Sequence, residues 1–267
     1  DPARPEGRRI LALAAAIHEG KRSFTGLVDE RSDAAAVTFT GVELCPANQR
    51  EPFLFRWFNE RIRPSAAYTE VARTSFSLQR DPDGQRFDAV AISLFDRAFA
   101  EQQSRRLLAV TRGRPTGVDA LNAALHARWG ARGKQPLAGE PVMMLRNDYQ
   151  RGLWNGDQGM VVNLREGAPR TAVVFKVGGV WMPFPLESLR DSLGLAFALT
   201  VHKAQGSEYD DVALVLPETP SPLLTRDLLY TALTRSRRGV VICGDLPLLA
   251  IGAATAPARL SGFSAPF

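Results

Sequence analysis

Short apolar runs alternate with amphipathic helical segments along much of the chain, and this alternation constrains the fold most. Leu107–Val110, Val212–Leu216 and Gly239–Cys243 are apolar runs typical of strands that are buried on both faces. Apolar residues recur at helical spacing over 118–129, and a second helix is predicted over 223–236, between the last two strands. Strands that alternate with helices predict an α/β fold with a mainly parallel sheet.

A different pattern begins at Glu140. Short apolar strands separated by glycine-rich turns follow at a spacing of about ten residues, over 141–145, 159–164, 171–177 and 180–184. We therefore expect a small inserted β-barrel, after which Leu195–Thr200 resumes the larger sheet. The predicted division is 1–139 for the first part of the larger domain, 140–190 for the insert and 191–267 for the remainder.

The first hundred residues carry weaker signals. They predict helices over 10–20, 53–63 and 87–106, and the third has an apolar face that includes Val90. Val28-Asp29-Glu30 is expected to be an exposed loop, because no buried apolar strand precedes it.

Composition favours an ordinary globular protein with an anionic partner. The 267 residues are 45% hydrophobic, with a net charge of +5 and a pI of about 9.6. Cys45 and Cys243 are too few for a disulfide scaffold, and the three histidines lie on unrelated segments, so we expect no metal site. No apolar run approaches the ~20 residues that span a membrane, and a cytoplasmic location is expected.

The densest polar segment is Thr200–Tyr209, which reads Thr-Val-His-Lys-Ala-Gln-Gly-Ser-Glu-Tyr. It follows a predicted strand, and α/β sheets place ligands at the loops that follow their strands. Its chemistry favours a binding site over a solvated turn. About 25 residues later, Leu229–Arg235 is a helical segment that ends on Thr234 and Arg235. Arg235 can complement the helix dipole or neutralise a transferring phosphoryl group, and the two roles are compatible.

A polar and aromatic turn joins the first two strands of the predicted insert. Asn155-Gly156 is typical of a hairpin turn. Tyr149 and Trp154, beside Arg146 and Arg151, suit stacking on bases together with phosphate contacts. The alternative, that Trp154 covers the barrel core, is equally compatible with the sequence.

The phosphate-binding loop of nucleotide-driven motors is missing from the sequence. No Gly-x-x-x-x-Gly-Lys-Ser/Thr motif occurs anywhere in the chain, which begins at Asp1. We therefore expect the chain to be the C-terminal part of a longer protein whose other part carries this loop.

The motif pair resembles the last two signature motifs of superfamily 1 helicases. More specifically, the chain resembles the RecD family, the alpha subunits of bacterial exodeoxyribonuclease V. The segments that carry the resemblance are Arg106–Leu125, Pro141–Val162, Ala198–Asp211, Thr225–Arg238 and the tail Ser261–Phe263. The resemblance fades over 21–104. It implies the second RecA-like domain of an ATP-driven 5′-to-3′ DNA translocase, with an SH3-like barrel as the insert.

The resemblance also implies roles for individual residues. Arg235 corresponds to the arginine finger, and one further family arginine matches Arg4, Arg8 or Arg9 without a choice between them. The residues implied on the nucleotide side are Gly206, Glu208, Gln205 and Thr234, with Gln205 coupling the two sites. The nucleic-acid-binding residues comprise Thr200, His202 and Lys203 from the motif and Arg146, Asn147, Tyr149, Trp154 and Asn155 from the turn.

The expected function is therefore that of a helicase motor domain in double-strand-break repair, within an exodeoxyribonuclease V. Its expected partners are single-stranded DNA, RecB- and RecC-like subunits and its own N-terminal RecA-like domain, which would hold most of the ATP and Mg²⁺. This chain alone is expected to be inactive. The alternatives are a stand-alone or relaxase-associated RecD-like helicase, and a non-catalytic nucleic-acid-binding module.

Overall fold

The computed structural model of the chain describes residues 5–63, 66–79, 87–166 and 168–257. Arg4 and the tail Ser261–Phe263, both named above, lie outside the described residues.

Helices and strands alternate through most of the described chain. The helices are α1 (Pro5–His18), α2 (Arg50–Trp57), α3 (Ala66–Arg73), α4 (Ala89–Ser104), α5 (Val118–Trp129), α6 (Leu186–Leu189), α7 (Arg226–Leu233) and α8 (Leu246–Ala254). The strands are β1 (Asp29–Glu30), β2 (Gly41–Cys45), β3 (Ser75–Phe76), β4 (Arg105–Ala109), β5 (Pro141–Met144), β6 (Gln158–Glu166), β7 (Ala168–Val177), β8 (Val180–Pro185), β9 (Leu193–Leu195), β10 (Ala198–Thr200), β11 (Tyr209–Val215) and β12 (Ser236–Cys243). No described helix has the length and apolar character needed to cross a membrane.

The larger sheet is parallel and is covered by helices on both faces. Its strand order is β1-β2-β12-β11-β4-β10, with parallel pairing throughout. Leu108 packs with α1, α7 and α8 on one face, whereas its neighbour Leu107 packs with α2 and α5 on the other. Successive strand residues point to opposite faces, so both faces require apolar residues. The continuous apolar runs of β4, β11 and β12 follow from this, and the predicted parallel sheet is confirmed.

The second sheet is built mainly from the segment that follows Glu140. Its order is β8-β7-β6-β5-β9, with antiparallel pairing, and β3 adds in parallel to β6. Strands therefore form at each of the four predicted positions. Helices α3 and α4 also pack on this sheet, where Phe95 lies against Trp181 with ring centroids 5.8 Å apart. Part of the chain before Glu140 thus belongs to the core of the second sheet.

Three predictions about the part of the chain before β4 are wrong. The helix predicted over 87–106 ends at Ser104, because the next residues pair with β11 as the start of β4. Val90, predicted on its buried face, is 77% exposed in the first turn, just after the capping Asp88. The predicted loop at Val28-Asp29-Glu30 instead contains β1, which pairs with the edge strand β2.

The return to the larger sheet occurs later than predicted. Leu195 still belongs to β9, which pairs with β5 of the second sheet. Pairing with β4 of the larger sheet begins at Ala198. The change of sheet therefore takes place at Ala196 and Phe197, which are both buried. The predicted helix over 223–236 is α7, which ends at Leu233 because Ser236 already begins β12.

Candidate nucleotide and nucleic-acid interfaces

The segment Thr200–Tyr209 leaves β10 through one tight helical turn. Thr200 caps this turn, because its Oγ1 accepts a 3.3 Å hydrogen bond from the backbone N–H of Lys203. Val201 and Ala204 are buried in the core of the larger sheet. Between these anchors, the side chains of His202, Lys203 and Gln205 are exposed. The segment therefore presents polar groups outward from a rigid base.

The two ends of this segment lie at opposite ends of the parallel strands of the larger sheet. Thr200 is level with Ala109 of β4, and Ala109 is level with Val215 at the end of β11. Tyr209 begins β11, which spans 7 residues, or about 20 Å at the rise of a strand. The residues implied in DNA binding and those implied on the nucleotide side thus have separate locations on one continuous segment.

Arg235 is hydrogen-bonded directly to the Ser207–Tyr209 end of this segment. Its Nη1 donates to the Ser207 carbonyl at 3.2 Å, and its own carbonyl accepts from Tyr209 N–H at 2.7 Å. The remaining guanidinium donors contact the Thr231 carbonyl and Thr234 Oγ1. These partners are neutral, and Arg235 forms no ion pair with another described residue. Its half-buried positive charge is therefore available to an anion.

Glu208 and Gly206 lie beside Arg235 with different constraints. The Glu208 carboxylate accepts a 2.6 Å ion-pair contact from Arg237, and both side chains are exposed. This hydrogen bond lowers the pKa of the Glu208 carboxyl below its usual range. Gly206 has a φ of +83°, a conformation that favours glycine, and it makes the turn toward Glu208 possible. Thr234 donates its hydroxyl hydrogen toward the Tyr230 carbonyl at 2.9 Å.

The polar turn after β5 presents its aromatic side chains outward. Tyr149 is 74% exposed and Trp154 is 52% exposed, and the two rings meet edge-to-face with centroids 5.3 Å apart. Leu153, rather than Trp154, is the residue of this turn that enters the core of the second sheet. An exposed aromatic pair has the geometry required for stacking on bases.

The polar turn and the motif segment meet at one point. Lys203 Nζ donates a 2.6 Å hydrogen bond to Asn155 Oδ1. The Asn155 N–H donates to Asn147 Oδ1 at 2.8 Å, and Asn147 Nδ2 donates to the Tyr149 hydroxyl at 3.1 Å. Arg146 instead donates to Ser192 Oγ at 2.7 Å. Most of the residues implied in DNA binding therefore share one surface.

The N-terminal arginines have other surroundings. Arg9 Nη2 forms a 2.7 Å ion pair with Asp29 at the edge strand β1. Its hydrogen bonds lower the pKa of the Asp29 carboxyl. Arg8 is exposed on α1. The structure thus gives Arg9 a structural partner.

Sequence reasoning did not identify two buried polar residues that support the site. Asn122 on α5 donates to the carbonyls of Leu195 and Ala198 and accepts from Ala198 N–H. Arg106 donates to the Ala196 carbonyl at 2.8 Å and stacks on the Tyr209 ring. Both residues secure the change of sheet that leads into Thr200. The sequence feature that could have identified them is a polar residue within a segment predicted to be buried.

Comparisons with known proteins match this chain to helicases. The pattern of the UvrD-like helicase C-terminal domain matches residues 195–243, which include both motif segments. The RecBCD enzyme subunit RecD of Mycobacterium tuberculosis strain H37Rv is 35% identical over 183 residues, covering 66% of this chain and 31% of the relative. The RecD subunit of Mycolicibacterium smegmatis is 38% identical over 152 residues, covering 55% and 26%. The ATP-dependent RecD2 DNA helicase of Deinococcus radiodurans is 38% identical over 181 residues, covering 65% and 24%.

The matching domain pattern defines the class that this chain resembles, the C-terminal domain of UvrD-like helicases, and the parallel sheet that carries the joined motif segments gives it an α/β fold. Within that class the chain is RecD-like, which confirms the resemblance seen in the sequence. The chain spans less than a third of the length of these curated relatives.

Proposed function

We propose that the chain is the second motor domain of an ATP-dependent DNA helicase that moves 5′ to 3′ on single-stranded DNA. The name of the RecD2 relative supports ATP-dependent helicase chemistry. The relatives named as RecBCD enzyme subunits support a role in double-strand-break repair with RecB- and RecC-like partners. The observation that carries the proposal is the bonding between Arg235 and Ser207. It fixes a guanidinium whose hydrogen-bond partners are neutral on the segment whose other end faces the proposed DNA path.

Arg235 is the proposed catalytic residue. A guanidinium can neutralise the charge that spreads over the oxygens of a transferring γ-phosphoryl group. Arg235 is held in position because its Nε donates to the Thr231 carbonyl and its Nη1 donates to the Ser207 carbonyl. Glu208, Gly206, Gln205 and Thr234 are proposed to line the same side of the nucleotide.

The residues of this chain fit a nucleotide phosphate better than they fit a metal. No group of three or more His, Cys, Asp or Glu side chains capable of holding a metal is found in the described part of the chain. We therefore assign the Mg²⁺ ligands and the phosphate loop to an N-terminal RecA-like domain, with which this chain would close over ATP. Bound ATP and Mg²⁺ supply the phosphoryl group and its charge neutralisation.

The DNA path is proposed to run over Thr200, His202 and Lys203 and onto the exposed turn of the second sheet. Asn147, Asn155, Tyr149, Trp154 and Arg146 contribute from that turn. The division 1–139, 140–190 and 191–267, with an SH3-like barrel as the insert, stays part of the proposal. The antiparallel strands β5–β8 support it, and the packing of α3 and α4 on the same sheet adds earlier residues to its core.

The test compares wild type, Arg235→Lys and Arg235→Ala in the complete helicase, with this chain joined to its first motor domain. Removal of an arginine finger lowers hydrolysis by about 10³-fold or more. We expect both variants to bind ATP normally but to lose hydrolysis and the unwinding of a 5′-tailed duplex. Unchanged unwinding in Arg235→Ala would reject the motor role and favour a non-catalytic binding module. The 267-residue chain alone is expected to show no ATPase activity.

A stand-alone RecD-like helicase is the second candidate function. It is favoured by the RecD2 relative, whose identity of 38% equals or exceeds that of the RecBCD subunits. A relaxase-associated helicase is a variant of the same alternative. Co-purification of the native protein with RecB- and RecC-like chains supports the subunit role, whereas a native protein that unwinds DNA without them supports the stand-alone role.

A further inference from the structure

A cavity of about 480 Å³ opens beside Thr200 and Lys203, where the two sheets meet. Helix α5 forms one wall, and the residues around β5 and β9 form the other. Its apolar lining includes Val118, Ala123, Ala127, Met143, Leu195 and Leu199. The volume lies within the range of about 300–1,000 Å³ that is typical of ligand sites, which are mostly apolar with a few placed polar groups.

The polar groups of this cavity are mainly cationic. Arg112, Lys134 and Lys203 line it, and Asp119 is its only acidic residue in the described part of the chain. Asp119 lies 3.4 Å from Arg112, which partly neutralises that one cation. Lys134 and Lys203 form no ion pair with a described residue, and Lys203 Nζ donates to the neutral Asn155 side chain. The rim therefore attracts an anion, while the interior excludes one.

The wall of the cavity is held in place by a buried hydrogen-bond network. His126 Nε2 donates to the Gly133 carbonyl at 2.9 Å, and His126 Nδ1 lies 2.6 Å from Glu140 Oε1. Glu140 is fully buried and also accepts from Leu137 N–H at 2.7 Å. These bonds fix the segment that carries Lys134, so the cavity exists before any ligand arrives.

We propose that this cavity takes one unstacked base of single-stranded DNA, with the adjoining phosphates on Arg112, Lys134 and Lys203. The proposal rests on the proposed function, because it places the occupant on the same DNA path. A base is planar and largely apolar on its faces, and its phosphates carry the charge that the rim complements. Aliphatic walls contact the face of any base without reading its edge, so the site is expected to tolerate all sequences.

Two alanines allow the cavity to be filled without touching its cations. Ala123 and Ala127 lie four residues apart on α5, hence on one helix face, and both are exposed at the cavity. The experiment measures binding of the 267-residue chain to a short oligothymidylate and to an abasic strand of equal length. Wild type is compared with Ala127→Phe, with Ala123→Phe as a second filled variant. Ala12→Phe, at an exposed position of α1, is the control for adding a phenyl group.

Filling the cavity is expected to weaken oligothymidylate binding about tenfold, or about 1.4 kcal/mol, because the base loses its apolar contacts with the walls. Binding of the abasic strand is expected to stay unchanged, and Ala12→Phe is expected to change neither. Thermal unfolding shows which filled variant keeps the wild-type fold, and that variant decides the outcome. If the filled variant loses affinity equally for both strands, or for neither, the proposed base site is wrong. The proposed DNA path is not contradicted by either result. If wild type binds neither strand, the proposed DNA path itself is wrong.

Discussion

Lys203 Nζ donates a 2.6 Å hydrogen bond to Asn155 Oδ1, and this contact joins the two sheets at the proposed DNA path. Lys203 belongs to the turn after β10 of the parallel sheet, whereas Asn155 belongs to the turn between β5 and β6 of the antiparallel sheet. Asn155 is neutral and does not compensate the positive charge of the ammonium. One side chain can therefore hold the second sheet in position and still contact a phosphate.

Replacement of Lys203 is predicted to weaken single-stranded DNA binding through the loss of one phosphate contact. Each neutralised phosphate contributes about 0.7 to the slope of log affinity against log salt on single strands. We expect Lys203→Ala to lower the slope by about that amount, measured by fluorescence anisotropy over a salt series. Lys21→Ala is the matched control, because Lys21 is an exposed lysine that pairs with Glu19 after α1. An unchanged slope in Lys203→Ala contradicts the phosphate contact.

Replacement of Trp154 is predicted to remove base stacking without changing the salt slope. Stacking on an aromatic side chain contributes about 1–3 kcal/mol per base, so Trp154→Ala should weaken binding by about tenfold, and Trp154→Tyr should largely restore it. Phe55→Ala serves as the control, since Phe55 is 58% exposed on α2 and belongs to neither turn. Wild-type affinity in Trp154→Ala would mean that DNA does not reach this turn.

The parts of the structure that followed from the sequence are those set by local burial. The runs of β4, β11 and β12 are apolar because both faces of the sheet are covered, and this requirement is visible in any one strand. The two motif segments could likewise be recognised from the sequence, because each carries its hydrogen-bond donors and acceptors within a few residues. The sequence therefore predicted the parallel sheet and the RecD-like class.

Other features depend on contacts between distant segments. Lys203 and Asn155 are separated by 48 positions, and no local pattern pairs a lysine with that asparagine. The end of α4 is set by the pairing of Arg105 with Asp211, which outweighs the helical spacing of the preceding residues. Val90 is apolar but exposed, so periodicity alone assigned it to the wrong face. These errors arise where tertiary pairing decides the outcome.

The buried Glu140 carboxyl is predicted to be required for stability of the junction between the sheets. Burial raises the pKa of the Glu140 carboxyl, and His126 Nδ1 lies 2.6 Å from Glu140 Oε1. Glu140→Ala leaves His126 Nδ1 and the Leu137 N–H without this partner, and loss of one partner of such a buried pair costs about 3–5 kcal/mol. Glu140→Gln can still accept from Leu137 and donate to a neutral imidazole, so we expect a smaller loss. Urea unfolding measures both losses.

Local opening of the same junction gives a second measurement for this prediction. Arg132 and Lys134 are exposed in the segment that His126 and Glu140 hold in place. We expect trypsin to cleave Glu140→Ala faster than wild type after these two residues. Equal cleavage rates and equal urea midpoints for Ala and Gln variants would show that the network does not stabilise the segment.

The contact between Asp96 and Lys176 is predicted to contribute stability that disappears in acid. Asp96 Oδ1 accepts from Lys176 Nζ at 2.8 Å and from Trp181 Nε1 at 3.0 Å, which links α4 to the second sheet. The hydrogen bond from Lys176 lowers the pKa of the Asp96 carboxyl below 3.8 in the folded protein. A carboxyl with a lowered folded pKa stabilises the fold above its unfolded pKa, and this contribution is lost as pH falls through the folded value.

We therefore expect Asp96→Asn to destabilise the protein at neutral pH by about 0.5 kcal/mol, because the pair is nearly half exposed and screened by solvent. The difference from wild type should disappear as pH falls below about 3.8, the ordinary value for the carboxyl. Thermal unfolding across pH measures it. A double-mutant cycle with Lys176→Ala isolates the pairwise part, which should vanish over the same range. A coupling energy that persists in acid would assign the effect to packing against Trp181 rather than to charge.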